Sequence, residues 1–202
     1  MDLLSKQEDL QKEAKEVLSK LNLIDTLSKY GSAQIIGSVA LGLMVYRDID
    51  IEVTTNNFIQ NSIESLVNDL LQKRSKRIDF VVLDNLEGNN PNAPQGIYIG
   101  LKYFGLVEDN NYFSTNPKVW KIDIWFVSPE NTKGPGYVAK IKYQLTSEKK
   151  RIILEIKKSL VSNPKYKKEI FSIDIYTAVL DKQIKNTEEF KDYLKSISKS
   201  IQ

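Results

Sequence analysis

The sequence predicts an α+β fold, a mixed β-sheet flanked by helices and followed by an α-helical C-terminal part. Segments that alternate apolar and polar residues with period 2 occur only in the first two thirds of the chain. Apolar residues at helical spacing precede and separate these segments, and they dominate the last third. We therefore expect a core over residues 1–132 and a helical region over residues 133–202.

The N-terminal part combines helices with a first strand. Apolar residues at helical spacing between Leu10 and Leu21 predict an amphipathic helix. A shorter helix follows, and we expect Gly31 to form its C-cap. The apolar segment Gln34–Ile36 predicts the first strand, and one or two helical turns follow over Val39–Met44.

The middle of the chain contains most of the predicted sheet. A strand over Asp48–Val53 is followed by the polar cluster Thr54–Asn57, which is typical of a helix start. Three more strands are predicted, over Arg77–Leu83, Gly96–Phe104 and Val119–Val127.

The predicted boundary at residue 133 coincides with a change of pattern. Gly134-Pro135-Gly136 is expected to break the chain. An apolar stripe from Ile141 to Leu160 predicts one helix, and further helices follow it. Asn186, three residues before a glutamate, is the expected cap of the last helix.

Two missing residue types narrow the possible chemistry. The chain has no cysteine and no histidine. This excludes disulfides, thiolate or Ser-His-Asp nucleophiles, and zinc sites of the Cys/His kind. Any enzyme of this sequence works with carboxylates, Lys, Tyr, Ser and metal ions. Because the chain also lacks a membrane-span pattern and a signal-peptide pattern, we expect a cytoplasmic protein.

The charge of the chain is unevenly distributed. The net charge is +3, but from Lys140 onward basic residues outnumber acidic ones, and before that point acidic residues are in excess. An acidic part beside a basic part would suit a metal ion and a polyphosphate in one cleft. The alternative is that the lysines form solvated helix faces.

The most informative segment runs from residue 36 to residue 52. Gly37 and Ser38 close a short apolar strand, and after nine intervening residues the chain reads Asp48-Ile49-Asp50-Ile51-Glu52. Strand side chains alternate between faces, so the three acids share one face and the isoleucines the other. Adjacent carboxylates repel unless a cation or a shared proton neutralises them. Mg²⁺ prefers oxygen ligands, so this segment predicts a metal-dependent phosphoryl-transfer site.

This segment resembles the signature of the DNA polymerase β-like nucleotidyltransferase superfamily. The matching pattern is an apolar residue, Gly, Gly or Ser, a gap, and Asp-apolar-Asp-apolar. The resemblance implies two Mg²⁺ ions and a nucleoside triphosphate, with ATP the first choice. It assigns metal binding to Asp48 and Asp50, and phosphate contacts to Gly37 and Ser38. We treat Glu52 as a residue behind the metal ligands or at the surface.

The resemblance also requires a third carboxylate on a later strand. Ile122-Asp123-Ile124 supplies one, and Arg77-Ile78-Asp79-Phe80 is an alternative. We favour Asp123 as metal ligand and catalytic residue because its strand is the more apolar, which makes a solvated acid there harder to explain.

The acceptor of the nucleotide does not follow from the sequence. We expect a hydroxyl on a small molecule, such as an antibiotic, and a protein hydroxyl is the second choice. Nucleic acid is less expected because there is no interleaved basic and aromatic stripe, and no membrane partner is expected. Two competing interpretations are a non-catalytic module that retains the fold and a metal-dependent phosphohydrolase. The three retained aspartates argue against the first, and the missing histidines argue against the second.

Overall fold

The computed structural model describes residues 2–56, 60–72, 78–91, 93–104 and 119–201. Asn57, the last residue of the polar cluster, and the predicted strand start Arg77 lie outside these ranges. The helices are α1 (Leu3–Lys20), α2 (Leu23–Ser28), α3 (Gly37–Leu41), α4 (Gln60–Gln72), α5 (Gly134–Gln144), α6 (Ser147–Leu160), α7 (Ser172–Leu180) and α8 (Thr187–Ser196). The strands are β1 (Ser32–Ile36), β2 (Asp48–Thr54), β3 (Ile78–Asp84), β4 (Gly96–Tyr103) and β5 (Trp120–Val127). The predicted α+β class is confirmed.

The strands form one mixed sheet in the order β1-β2-β5-β4-β3. Strands β2 and β5 run parallel, and the other neighbouring pairs are antiparallel. The parallel pair is at the centre of the sheet, although its two strands are far apart in the chain. This crossover places Asp48–Thr54 directly beside Trp120–Val127.

The two faces of the sheet have different surroundings. Ile49, Ile51, Ile122 and Ile124 point to one face and are fully buried against α1, α2 and α4. Burial of side chains of this size stabilises the fold by about 1.5–3 kcal/mol each. The polar residues of β2 and β5 alternate with these isoleucines and therefore share the opposite face.

A second hydrophobic core lies among α5, α6, α7 and α8. It also includes Leu41, the last residue of α3, and Leu43, which lies between α3 and β2. The second core thus includes residues from both sides of the predicted boundary at 132/133, and the division into two domains stays a prediction. None of the helices within the described ranges has both the length and the apolar character needed to cross a bilayer.

Three local predictions differ from the structure. Gly31 is not the C-cap of α2, which is Lys29; a side chain at Gly31 would instead clash with the carbonyl oxygen of Thr54. Gly134-Pro135-Gly136 does not break the chain but begins α5, since proline is well tolerated in a first helical turn. The single predicted stripe to Leu160 belongs to two helices, because the side chain of Thr146 caps a new helix by accepting from Lys149 N.

The other helical predictions agree with the structure. The first helix and the helix after the polar cluster are present. The helical turns predicted over Val39–Met44 are present as α3, which begins earlier, at Gly37, and ends at Leu41. The side chain of Asn186 accepts a hydrogen bond from the Glu189 backbone N–H at 3.0 Å, so the predicted cap of α8 is confirmed.

Candidate metal and nucleotide site

Three carboxylates converge on the polar face of the sheet. One oxygen from each of Asp48, Asp50 and Asp123 lies within 4.8 Å of the others. Asp50 and Asp123 are direct partners in the parallel pairing of β2 with β5, and Asp48 is two residues earlier on the same face. The structure therefore brings together the three aspartates that the sequence predicts as metal ligands.

The alternative third carboxylate, Asp79, lies elsewhere on the sheet. Its strand β3 is at the sheet edge and is separated from β5 by β4. Asp79 pairs with Lys102 of β4 and is exposed. Among the described residues, Asp79 is not part of the carboxylate cluster.

Burial and repulsion within the cluster change the protonation of Asp50. Burial, followed by the neighbouring charges of Asp48 and Asp123, raises the pKa of Asp50 to about 7. Lys167 and Lys121 oppose this shift. Near neutral pH the cluster therefore carries less negative charge than three free aspartates would.

Two lysines provide positive charge at the edges of the cluster. Lys121 Nζ donates to Asp123 Oδ2 at 2.6 Å, and Lys167 Nζ donates to Asp48 Oδ2. Lys167 also lies over the ring of Tyr46, 4.6 Å from its centroid, with its backbone in the left-handed region at φ 68°. Because Lys167 follows α6, this contact joins the C-terminal helices to the strand that carries Asp48.

A tyrosine forms the third polar contact of the cluster. Tyr98 on β4 donates its hydroxyl to Asp123 Oδ1 at 2.6 Å, and its ring packs against Trp125 with centroids 5.1 Å apart. Burial, together with this hydrogen bond, raises the pKa of Tyr98, so the hydroxyl stays protonated and acts as a donor.

The predicted glycine–serine segment lies directly beside the carboxylates. Gly37 begins α3, immediately after Ile36, the cross-strand partner of Asp50. Its φ of 61° is in the left-handed region, and a Cβ there would be 2.8 Å from Asp50 Cγ. Glycine is thus required both by the backbone conformation and by the close approach to Asp50. Ser38 is the next residue of α3 and is partly buried.

The remaining acid of β2 has a structural contact. Glu52 is only 6% exposed, and its Oε2 accepts from the backbone N–H of Gly134 at 3.1 Å, at the start of α5. It is therefore buried and anchors α5, and it is not at the surface. Lys140 and Lys142, further along α5, are exposed.

The donor set fits a hard divalent cation. The metal ligands that this cluster can provide are carboxylate oxygens. One of them, Asp48 Oδ1, is buried and has no hydrogen-bond partner in the described part of the chain. A buried unpaired carboxylate oxygen is costly unless a cation or a proton satisfies it. These residues therefore match the preference of Mg²⁺ for oxygen ligands.

Several site residues were not predicted from the sequence. Lys121 had a usable signal, since it lies two residues before Asp123 on the same strand face. Tyr98 had no such signal, because its contact depends on the pairing of β4 with β5. The contact of Lys167 spans 119 residues and depends on how the C-terminal helices pack.

Comparison with known proteins finds relatives by structure. No protein-family model matches the chain. No curated protein matches it significantly either. Cid1 poly(U) polymerase bound to MgATP superposes with a TM-score of 0.58 at 18% identity, covering 87% of this chain and 51% of its own. A cytoplasmic RNA terminal U-transferase gives 0.53 at 15% identity, covering 89% and 51%.

A further structure of Cid1, described by its RNA terminal uridylyl transferase activity, gives a TM-score of 0.55 at 18% identity and covers 86% of this chain and 47% of its own. The chain therefore spans about half the length of these structures. The architecture implied by the Gly-Ser and Asp-x-Asp resemblance is confirmed, and this chain has the fold of the DNA polymerase β-like nucleotidyltransferases.

Proposed function

We propose that the protein is a Mg²⁺-dependent nucleotidyltransferase that moves a nucleoside monophosphate from a nucleoside triphosphate to a hydroxyl group. ATP is the first candidate for the nucleoside triphosphate. The observation that carries this proposal is the convergence of Asp48, Asp50 and Asp123 within 4.8 Å beside Gly37. The resemblance in sequence and the structural neighbours, which are nucleotidyltransferases, support the same chemistry.

The three aspartates would hold the metal. Asp48 and Asp50 come from one strand and Asp123 from its parallel neighbour, so a rigid sheet fixes their spacing. Bound there, Mg²⁺ would supply positive charge to stabilise the attacking and leaving oxygens of the transfer. Lys167 and Lys121 donate to Asp48 Oδ2 and Asp123 Oδ2, so they would compete with a metal ion for these two oxygens, while Asp48 Oδ1 is unpaired.

The chain's own residues would then orient the substrates. The backbone N–H and hydroxyl of Ser38, in the first turn of α3, would donate to triphosphate oxygens. The acceptor oxygen bonds to the α-phosphorus, the bond from that phosphorus to the α–β bridging oxygen breaks, and pyrophosphate leaves. Asp123 would take the proton from the acceptor hydroxyl.

The acceptor is proposed as a small molecule first and a protein hydroxyl second. The structural neighbours named for terminal uridylyl transfer act on RNA, so an RNA 3′-hydroxyl belongs in the same experiment. The test is incubation of the purified protein with Mg²⁺, nucleotides labelled at the α-phosphate, and separate small-molecule, protein and RNA fractions of a cell extract. Label should transfer to one fraction, and Asp50→Asn should abolish the transfer.

A matched control separates catalysis from folding. Asp25→Asn makes the same aspartate-to-asparagine change at an exposed position on α2. This variant should transfer label as the unmodified protein does. If the protein binds no nucleoside triphosphate in the presence of Mg²⁺, the proposal fails and the non-catalytic module is the better interpretation.

A further inference from the structure

A groove lies beside the carboxylates on the polar face of the sheet. It encloses about 180 Å³. Its walls include Asp79, Val81, Tyr98, Gly100, Lys102 and Lys121. We call it the β4 groove, because β4 runs along its middle. Two of its residues, Tyr98 and Lys121, hydrogen-bond to Asp123, so the groove ends at the proposed metal site.

Gly100 lies where the groove meets Asp123. It is the direct cross-strand partner of Asp123, so a side chain there would stand next to the carboxylate. A Cβ at Gly100 would also lie 2.9 Å from Tyr98 Cζ. The missing side chain therefore gives the Tyr98 hydroxyl room to lie over Gly100 and reach Asp123, where the groove meets the carboxylates.

The charges of the groove favour an anion. Lys102 and Lys121 are direct partners on β4 and β5, an arrangement in which like charges repel. Asp79 faces Lys102 from the edge strand, and Lys121 pairs with Asp123. A metal ion on Asp123 would compete for the carboxylate that now neutralises Lys121. The loaded site would then present two ammonium groups against the single carboxylate of Asp79.

The size and remaining surface of the groove favour a small molecule. Its volume is below the roughly 300–1,000 Å³ of sites for drug-sized ligands. Val81 is 48% exposed at one side, and the tyrosine ring that packs on Trp125 forms part of the other. These surfaces suit a compact body with a hydroxyl near Asp123 and an anionic group near the two lysines.

We propose that the β4 groove is the acceptor subsite and that its ligand is a small hydroxyl compound with an anionic group, such as a sugar phosphate. This inference depends on the proposed function and adds the chemical class of the acceptor. In the transfer, the acceptor hydroxyl oxygen becomes bonded to the α-phosphorus, pyrophosphate departs, and the hydroxyl proton passes to Asp123.

The test compares ribose 5-phosphate with ribose, which has the same sugar body without the anionic group. Both are titrated into the protein in the presence of Mg²⁺ and an ATP analogue with a methylene bridge between the α- and β-phosphates. The analogue fills the nucleotide site without reacting, so phosphate binding there does not contribute. We expect ribose 5-phosphate to bind at least about tenfold more tightly than ribose.

Two charge reversals locate the binding. Lys102→Glu should remove the preference for ribose 5-phosphate. Lys195→Glu changes the net charge equally at an exposed position on α8 and should retain the preference. Val81→Trp should weaken binding of both sugars by filling the groove, while circular dichroism confirms that each variant is folded.

The outcomes separate the two proposals. Binding of the MgATP analogue is measured first in the same samples, and its absence would overturn the proposed function together with this inference. If the analogue binds but the two sugars bind equally, or if Lys102→Glu and Lys195→Glu behave alike, the β4 groove is not an anion-binding acceptor subsite and the nucleotidyltransferase proposal stands.

Discussion

Asp50 and Asp123 are direct neighbours across the only parallel strand pair among the described strands. Their carboxylates share one face of the sheet, while the isoleucines on either side of them are buried on the other. A shift of the pairing by one residue would turn the polar side chains of one strand into the apolar core. The hydrophobic core thus enforces the register that holds two repelling acids together.

Burial of Asp50, together with repulsion by Asp48 and Asp123, predicts an unusual pH dependence of stability. The pKa of Asp50 is raised from 3.8 to about 7, so between these values the folded protein holds a proton that the unfolded chain has released. The free energy of unfolding of the metal-free protein should therefore fall as pH rises through this range, as far as this group is concerned. Denaturant unfolding with a chelator present, at about pH 5 and about pH 8, measures this effect.

Asp50→Asn should remove that contribution, so the free energy of unfolding of this variant should depend less on pH. The control is Asp9→Asn, which changes an exposed acid on α1 and should keep the slope of the unmodified protein. Equal slopes for all three proteins would show that Asp50 has an ordinary pKa and that the acids do not repel each other as the geometry indicates.

The choice between the two candidate third ligands can be tested by metal binding alone. Mn²⁺, which takes the same oxygen ligands as Mg²⁺ and is visible by electron paramagnetic resonance, is the probe. Asp123→Asn should weaken its binding by about tenfold or more, since it removes one charged ligand of the cluster. Asp79→Asn should leave Mn²⁺ affinity almost unchanged, because Asp79 is on the edge strand. If Asp79→Asn weakened Mn²⁺ binding more than Asp123→Asn did, the metal site would lie near β3 instead.

Substitution of Gly37 should affect the metal site as well as the backbone. Gly37→Ala places a methyl group against the Asp50 carboxylate at a φ of 61°, so both stability and Mn²⁺ binding should decrease. Gly42→Ala is the matched control, because Gly42 has a similar φ of 65° but is next to Gln7 and Lys150. Each variant should lose roughly 1–2 kcal/mol from backbone strain. Only Gly37→Ala should weaken Mn²⁺ binding. If both variants lost Mn²⁺ affinity equally, the role of Gly37 would be purely structural.

A buried lysine connects the C-terminal helices to the segment that precedes Asp48. Lys157 on α6 is only 2% exposed, and its Nζ donates to the carbonyl oxygen of Leu43 at 2.7 Å and to the hydroxyl of Tyr176 at 3.3 Å. Burial, and then the charge of Lys167, lowers the pKa of Lys157 to about 8. The folded protein thus keeps this lysine next to a carbonyl at the cost of its positive charge at alkaline pH.

Lys157→Met should change how the free energy of unfolding depends on pH in the alkaline range. Between about pH 8 and 10.5 the folded protein has released this proton and the unfolded chain still holds it, so this group makes stability rise with pH. The variant should lack that rise relative to the unmodified protein in denaturant unfolding at about pH 8 and about pH 10. Parallel profiles would mean that Lys157 titrates normally and is not desolvated.

Much of the candidate site could be predicted from the sequence because its signals are local. The alternation in Asp48–Val53 determines which side chains share a face, since the period of a strand is 2 whatever its neighbours are. The glycine at residue 37 likewise marks a position where the backbone turns sharply, and its left-handed φ agrees with this.

Contacts between distant segments needed the tertiary structure. Asp79 and Asp123 have similar apolar neighbours in the sequence, and only the strand order places one beside Asp50 and the other at the sheet edge. Lys167 and Tyr98 reach the aspartates from a loop after α6 and from β4, and local periodicity contains no information on either contact. The sequence by itself determined the chemistry of the aspartates on β2, because alternation is a property of one strand. Their partners were decided only by strand pairing and helix packing, which depend on the whole chain.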